Sequence, residues 1–242
     1  MENLKGKTIL VTGGTCGIGK ATACLLTNMG AKVFIFSRHE EKLKQALFEI
    51  QENTGQKING YVADSSKEKE VIRVFNAIDK IGKLDVLINN AALPARNIQE
   101  SSFDYLKYVV ETNISGYLIC TKYALERMVI RGSGHIVNIG SMSAHVLEEG
   151  ADLYVATKSA IAGFTESLRK EMVPFDIRVS LVEPGSVATS MITESEPEKK
   201  LAIKNEKILR PIDIAEAILF ILTRPQNCEI IDLQLKAKKQ NF

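Results

Sequence analysis

The stretch YVATK, Tyr154 to Lys158, puts a phenol and an ammonium four residues apart. On a helix, residues i and i+4 share a face and can touch. A free tyrosine titrates near pH ~10 and is a poor acid or base at neutral pH. A lysine cation beside it favours the phenolate and pulls that value down. The pair is therefore a candidate tuned proton donor. The same spacing also fits a solvated aromatic beside a surface lysine, so its meaning depends on what else the chain brings to it.

A second stretch, TGGTCGIG at 12–19, is built to approach a phosphate. Its glycines allow a tight turn and a close backbone approach. A helix that begins there offers unpaired N–H groups and a positive dipole end to a pyrophosphate. Gly13, Thr15, Cys16, Gly17, Ile18 and Gly19 are the expected contacts of a dinucleotide. The spacing G-x-x-x-G-x-G departs from the commoner G-x-G-x-x-G, and a plain tight connection would look similar. Its place between a first strand and a first helix favours the dinucleotide. At the end of the second apolar run, where an NAD binder usually carries an acid, the chain has Ser37 and Arg38. No carboxylate there would repel a 2′-phosphate, and a guanidinium can grip one with two hydrogen bonds. The expected cofactor is NADP(H). Asp64 and Ser65, after the third run, fall where the adenine would lie.

Such residues need a frame that gathers loop ends on one side. Short runs rich in Val and Ile recur at 8–12, 32–36, 58–63, 85–89, 135–140, 177–182 and 229–235, separated by helical stretches. One of these has Ala160, Ile161, Phe164, Leu168 and Met172 on a single apolar face. Seven strands alternating with six helical segments predict an α/β Rossmann fold, a doubly wound seven-stranded parallel sheet with helices on both faces. Strands covered on both faces read as continuous apolar runs. No linker or repeat divides residues 1–242, so one domain is expected. The exception to its regularity is a polar, weakly patterned stretch at about 184–207, whose length suggests a functional lid or a disordered loop.

Of the 242 residues, 45% are hydrophobic and 25% charged, with a net charge of +2. That balance gives no reason to expect nucleic acid. Lys199-Lys200 and Lys236 to Lys239 read as solvated faces or a tail. Cys16, Cys24, Cys120 and Cys228 form no C-x-x-C pair. His39, His135 and His145 are scattered, so no metal site is expected. The first residues run straight into a strand pattern without a signal peptide, and no apolar run is long enough to span a bilayer. A cytoplasmic protein with reduced thiols is the expectation.

The sequence resembles the short-chain dehydrogenase/reductase family. The resemblance rests on TGGTCGIG at 12–19, NNAA at 89–92, Asn113, Ser141, Tyr154, Lys158 and PGSVAT at 184–189, in order over essentially the whole chain. It implies that Tyr154 is the catalytic acid/base and that Lys158 lowers its pKa and bonds the nicotinamide ribose. Ser141, thirteen residues before Tyr154, would hold the substrate oxygen, with Ser143 a rival at the wrong offset. Asn113 would sit at a helix kink and keep a water in a proton relay. Asn90 and Ala91 would brace the adenosine side, and Ala92 stands where glycine is usual. In PGSVAT, which includes Pro184 and Gly185, Val187 and Thr189 would meet the nicotinamide.

The implied activity is hydride transfer between NADP(H) and a carbonyl or secondary alcohol. A beta-ketoacyl carrier-protein reductase is the alternative, against which the C-terminus speaks. That region is closer to NADP-dependent hydroxy-acid and serine dehydrogenases. An NADP(H)-binding regulator without turnover is the alternative of another class. Substrate identity should lie in 92–100, 142–153 and 190–207. Arg96 there suits a carboxylate, while Glu148, Glu149 and Asp152 suit an amine, so the clues conflict. A homotetramer, or otherwise a homodimer, is expected through the helices around 104–131 and 154–173. Tyr117, Leu118, Cys120 and Tyr123 are examples of apolar positions in excess of what one sheet face needs.

Overall fold

In the computed structural model, which describes residues 3–95 and 97–241, seven strands form one sheet in the order β3-β2-β1-β4-β5-β6-β7. They are β1 (Thr8–Thr12), β2 (Lys32–Ser37), β3 (Asn59–Val62), β4 (Val86–Asn89), β5 (Gly134–Ile139), β6 (Ile177–Pro184) and β7 (Asp232–Leu235). Every neighbouring pair is parallel. The seven expected strands are all present, displaced by at most a few residues at their ends.

Alternation along each strand sends successive side chains to opposite faces. Ile9 and Val11 of β1 join a buried cluster that holds Ala23 and Leu26 of α1 (Gly17–Asn28), Ala46 and Ile50 of α2 (Glu40–Thr54), and Ile214 and Ile218. Leu10 joins the opposite cluster with Phe75 of α3 (Glu68–Asp79), Ala124 and Met128, and Leu168 and Met172. With both faces covered, β1 and β4 are buried at every position. A parallel sheet demands this, because each crossover lays its helix back across a face.

The remaining elements follow in chain order. Helix α4 (Phe103–Val110) and α5 (Gly116–Arg131) are joined by a π-helical turn, Glu111–Ser115. Helix α6 (Ser143–Val146) is one short turn, and α7 (Asp152–Met172) is the longest helix. Helices α8 (Glu196–Lys204) and α9 (Pro211–Leu222) close the set. Among the described residues, the stretch 184–207 is thus not a plain loop. Ser195 and Glu198 form a reciprocal capping box that starts α8. Its apolar pattern is weak because Leu201 is exposed while a lysine, Lys199, takes the buried position.

The strand order reverses between β1 and β4. Connections from β1 and β4 therefore leave in opposite directions and open a crevice beyond their carboxyl ends. Both candidate constellations emerge at that edge of the sheet. Among the described residues, no helix is long and apolar enough to cross a membrane.

Candidate active site and dinucleotide cleft

The glycine-rich turn runs from the end of β1 into α1. Gly17 adopts φ +51°, a left-handed value that favours glycine. A Cβ on Gly19 would lie 2.4 Å from the carbonyl oxygen of Gly13 and 2.6 Å from Asn90 Nδ2, so no side chain fits there. Gly14 serves packing instead, since its Cβ would strike Ile35. Cys16, the residue before α1, makes no side-chain cap, and the first turn carries no acid. The positive end of α1 and its first amides are thus left without a compensating side chain.

Asn90 closes the cradle from the other side. Its amide donates to the carbonyl of Thr12 at 2.9 Å, and the backbone N–H groups of Asn90 and Ala91 donate to Thr12 Oγ1 at 2.9 Å each. These bonds lock the β4 exit to the β1 exit. Beneath them, Asn89 donates to Asn138 Oδ1 at 2.9 Å, and Asn138 donates to Thr165 Oγ1 at 2.9 Å. These buried amide bonds tie β4, β5 and α7 together at the crevice floor.

A cavity of about 290 Å³ extends from this cradle over the ends of β2 and β3. Gly13, Thr15, Cys16, Gly17, Ile18, Ser37, Arg38, Asp64, Ser65, Asn90 and Ala91, all expected cofactor contacts, line it. So do His39, Lys42 and Tyr108, which the sequence did not single out. The Tyr108 hydroxyl donates to Asp64 Oδ2 at 2.7 Å and accepts from Arg38 Nη1. Burial pushes the Asp64 carboxyl up, but the bonds from Tyr108 and Ser66 outweigh it and hold it below the usual carboxylate range. Gly19, whose space is filled as described, supports the turn from beneath.

A second cavity, of about 260 Å³, adjoins the first and shares Ile18, Asn90 and Thr189 with it. Ser141, Tyr154, Lys158, Pro184, Gly185, Val187 and Thr189 line it, together with Ser143, Glu148 and Met191. Helix α7 presents Tyr154 and Lys158 one turn apart, and Ser141 arrives from the end of β5. The Ser141 hydroxyl donates to Ser143 Oγ at 3.1 Å, and Ser143 donates to Glu148 Oε1 at 3.1 Å. Ser143 is therefore Ser141's partner, not its substitute.

Burial dominates the electrostatics of the pair. Burial holds the Tyr154 phenol above its ordinary value, the neighbouring Ser141 hydroxyl works against this, and the Glu148 charge adds to it. The Lys158 ammonium donates to the carbonyl of Ile139 at 2.8 Å. It lies 5.7 Å from the Tyr154 ring centroid. Burial brings Lys158 itself down to about 8, with Glu183 opposing.

Asn113 lies in the π turn between α4 and α5, matching the expected kink. An inserted turn of this kind re-aims a side chain that a regular helix would point elsewhere. Its Oδ1 accepts from the N–H of Leu93 at 2.7 Å, and its Nδ2 donates to the Leu93 carbonyl at 3.0 Å. Asn113 so anchors Leu93, which lines the first cavity.

The other flagged charges divide. Asp152 accepts from the N–H of Ile98 at 2.9 Å and ties down the 92–100 loop. His145 pairs with buried Glu183 at 2.6 Å. Glu149 is exposed, and Arg96 lies outside the described residues. Cys16, Cys24, Cys120 and Cys228 are free thiols. No group of three acids, histidines or cysteines among the described residues is placed to hold a metal ion.

Residues 7–200 match the short chain dehydrogenase family. The chain belongs to that family. A Staphylococcus aureus (strain USA300) protein described as an uncharacterized oxidoreductase is 31% identical over 98% of this chain and 99% of its own. Among solved structures, a serine dehydrogenase complexed with NADP+ superposes with a TM-score of 0.87 at 26% identity, covering 97% of this chain and 96% of that one. A short chain dehydrogenase from Burkholderia cenocepacia in complex with NADP gives 0.85 at 27% identity, with 98% of each chain covered. An actinorhodin polyketide ketoreductase variant with NADPH gives 0.87 at 30% identity over both whole chains. As a family member, the chain is a dehydrogenase/reductase enzyme.

Proposed function

We propose that this short-chain dehydrogenase is an NADP(H)-dependent oxidoreductase that interconverts a carbonyl and a secondary alcohol. One observation carries the reading. A half-buried phenol, with Ser141 beside it in the same cavity, faces a cleft that adjoins a glycine cradle. The cradle suits a dinucleotide because Gly19 leaves no room for a side chain and the α1 amides lack a cap.

In this reading the α1 amides from Gly17 to Gly19, with Thr15 and Cys16 beside them, hold the pyrophosphate. Arg38 and Ser37 hold the 2′-phosphate, and Asp64, Ser65, Asn90 and Ala91 enclose the adenosine. Pro184, Gly185, Val187 and Thr189 border the nicotinamide. When bound, NADP(H) donates or accepts the hydride.

Tyr154 supplies the proton that a carbonyl oxygen needs on reduction and removes it on oxidation. Its raised value keeps the phenol protonated at neutral pH, the form that reduction requires. Ser141 fixes the substrate oxygen against Tyr154, so that proton and hydride reach one geometry. Lys158, buried and charged below about pH 8, supplies positive potential when the phenolate forms. Asn113 is a positioning residue that acts through the Leu93 backbone. In this reading residues 1–242 form a single domain of a cytoplasmic homo-oligomer, with 184–207 as the substrate loop.

The test is NADPH consumption against hydroxy acids, keto esters, diketones and acyl thioesters, run beside the Tyr154→Phe variant. Turnover on one class, abolished in the variant while NADPH still binds, supports the reading. NADPH binding without turnover on any class would overturn it in favour of a cofactor-binding regulator.

A further inference from the structure

We propose that Tyr108 is a specificity-determining residue that holds Arg38 away from Asp64 and so keeps the guanidinium available to a 2′-phosphate. The inference rests on the NADP(H) reading of the cleft and names a residue that this reading did not contain.

Strands β2 and β3 are parallel neighbours, with Ser37 opposite Val62. Arg38 and Asp64 therefore leave the same edge of the sheet close together, with opposite charges. Left to Coulomb attraction, such a pair closes into a salt bridge. A bidentate pairing would use the same fork of N–H groups that a phosphate needs. Yet no Arg38–Asp64 ion pair forms among the described residues. The Tyr108 side chain of α4 stands between them.

A phenol suits this position because it has one proton to give and lone pairs to accept with. Its proton goes to Asp64 Oδ2 at 2.7 Å. Its oxygen accepts from Arg38 Nη1, and the guanidinium carbon lies 5.1 Å from the ring centroid. The other carboxylate oxygen, Oδ1, accepts from the N–H and the hydroxyl of Ser66 at 2.9 and 2.8 Å. Asp64 is thus supplied with donors without Arg38.

Arg38 is held by its edge alone. Nε donates to His39 Nε2 at 3.0 Å, and one end nitrogen donates to Tyr108. No described residue takes the other end nitrogen, Nη2. All of these side chains line the cavity over the β2 and β3 ends. A phosphate arriving there meets a guanidinium that is already oriented and need not be pulled out of an ion pair. That is preorganisation, and it acts only on the cofactor that carries the phosphate.

The test compares dissociation constants for 2′,5′-ADP and 5′-AMP by calorimetry, at one stated salt concentration. The proteins are the parent, Arg38→Ala, Tyr108→Phe, and Tyr108→Phe with Asp64→Asn. The fragments report on the phosphate without catalysis. In Tyr108→Phe, the parent's preference for 2′,5′-ADP should fall by about tenfold, one charge-assisted bond's worth. Adding Asp64→Asn should restore most of it, because no carboxylate remains to capture Arg38.

An unchanged preference in Tyr108→Phe, with the preference lost in Arg38→Ala, would overturn the role of Tyr108 alone. A lowered preference that Asp64→Asn does not restore would overturn the separation of Arg38 from Asp64. A parent without preference, or Arg38→Ala unchanged, would instead sink the reading of Arg38 as the phosphate contact, and this inference with it.

Discussion

Lys158 and Tyr117 donate to one carbonyl, that of Ile139, at 2.8 and 3.0 Å. The shared acceptor sits at the end of β5, two residues before Ser141. It fixes the ammonium over the cleft floor and away from water. Burial lowers Lys158 to about 8 from an ordinary 10.5. Between those two values the unfolded chain binds the proton more readily than the folded one, so stability rises with pH across that window. Below about pH 8 the buried charge is a standing cost. Lys158→Met should therefore lose turnover and yet gain stability at pH 7, by roughly 1–3 kcal/mol. The gain should shrink between about pH 8 and 10.5. Thermal unfolding of both proteins at several pH values checks this. A variant less stable than the parent at pH 7 would show that the bond to Ile139 outweighs the burial of charge.

Glu148 raises Tyr154 by its charge, and it terminates the chain from Ser141 through Ser143. Glu148→Gln keeps the shape and an acceptor for Ser143 while removing the charge. The phenolate is then less opposed, so Tyr154 should titrate at lower pH. Alcohol oxidation, which needs the phenolate, should begin to rise at lower pH in the variant. Reduction, which needs the phenol, should fall off at lower pH on the alkaline side. The measurement is the pH profile of kcat in both directions. Profiles that coincide with the parent's would remove Glu148 from the electrostatics of the site.

The frame of this site was legible because parallel strands buried on both faces need unbroken apolar runs, as in β1, β2 and β4. The cradle was legible for a similar reason. Gly19 has no room for a Cβ, so the motif records a steric fact. Tyr108 was not legible, because its contacts join residues 70 and 44 apart in sequence, and nothing local marks it. The direction of the Tyr154 shift was hidden too. Y-x-x-x-K spacing says that two groups share a helix face, but not how far burial opposes their charges. One missed element did carry a signal. Ser195 and Glu198 spell a capping box, which outweighs the poor apolar pattern of α8.

Cofactor choice can be tested by exchanging the chemistry at the β2 end. Arg38 stands where an acid would select NAD(H), and a charge-assisted contact to the 2′-phosphate contributes roughly 1.5–3 kcal/mol. The parent should then prefer NADPH by at least about tenfold. Ser37→Asp with Arg38→Ala removes the cation, adds repulsion for the phosphate and offers acceptors to the ribose hydroxyls. The preference should reverse toward NADH. The check is kcat/KM with each cofactor for both proteins at one salt concentration. A double variant that keeps its NADPH preference would leave Arg38 a surface charge.

Assembly is the last question the surface raises. Tyr117 and Cys120, expected in excess, are buried inside the protomer. The Tyr123 hydroxyl is engaged by Glu68 of α3 at 2.7 Å. These three therefore pack inward, against the sheet and α3. Other residues of α5 face outward instead. Leu118 is 40% exposed and Ile130 is 89% exposed. With Leu125 and Val129, and with Phe164 and Leu168 of α7, they line an open apolar groove of about 740 Å³. A groove this apolar, edged by the Lys122–Glu126 ion pair, is what an interface between copies requires: an apolar centre with a polar rim. We propose that α5 and α7 of two copies pack there as four helices. Light scattering at micromolar concentration should give a dimer or a tetramer. Placing a charge at each end of the groove, Leu118→Glu with Ile130→Glu, should shift the mass downward while leaving helix content intact by circular dichroism. A monomeric parent would refute the interface. A double variant of unchanged mass would move it to another face.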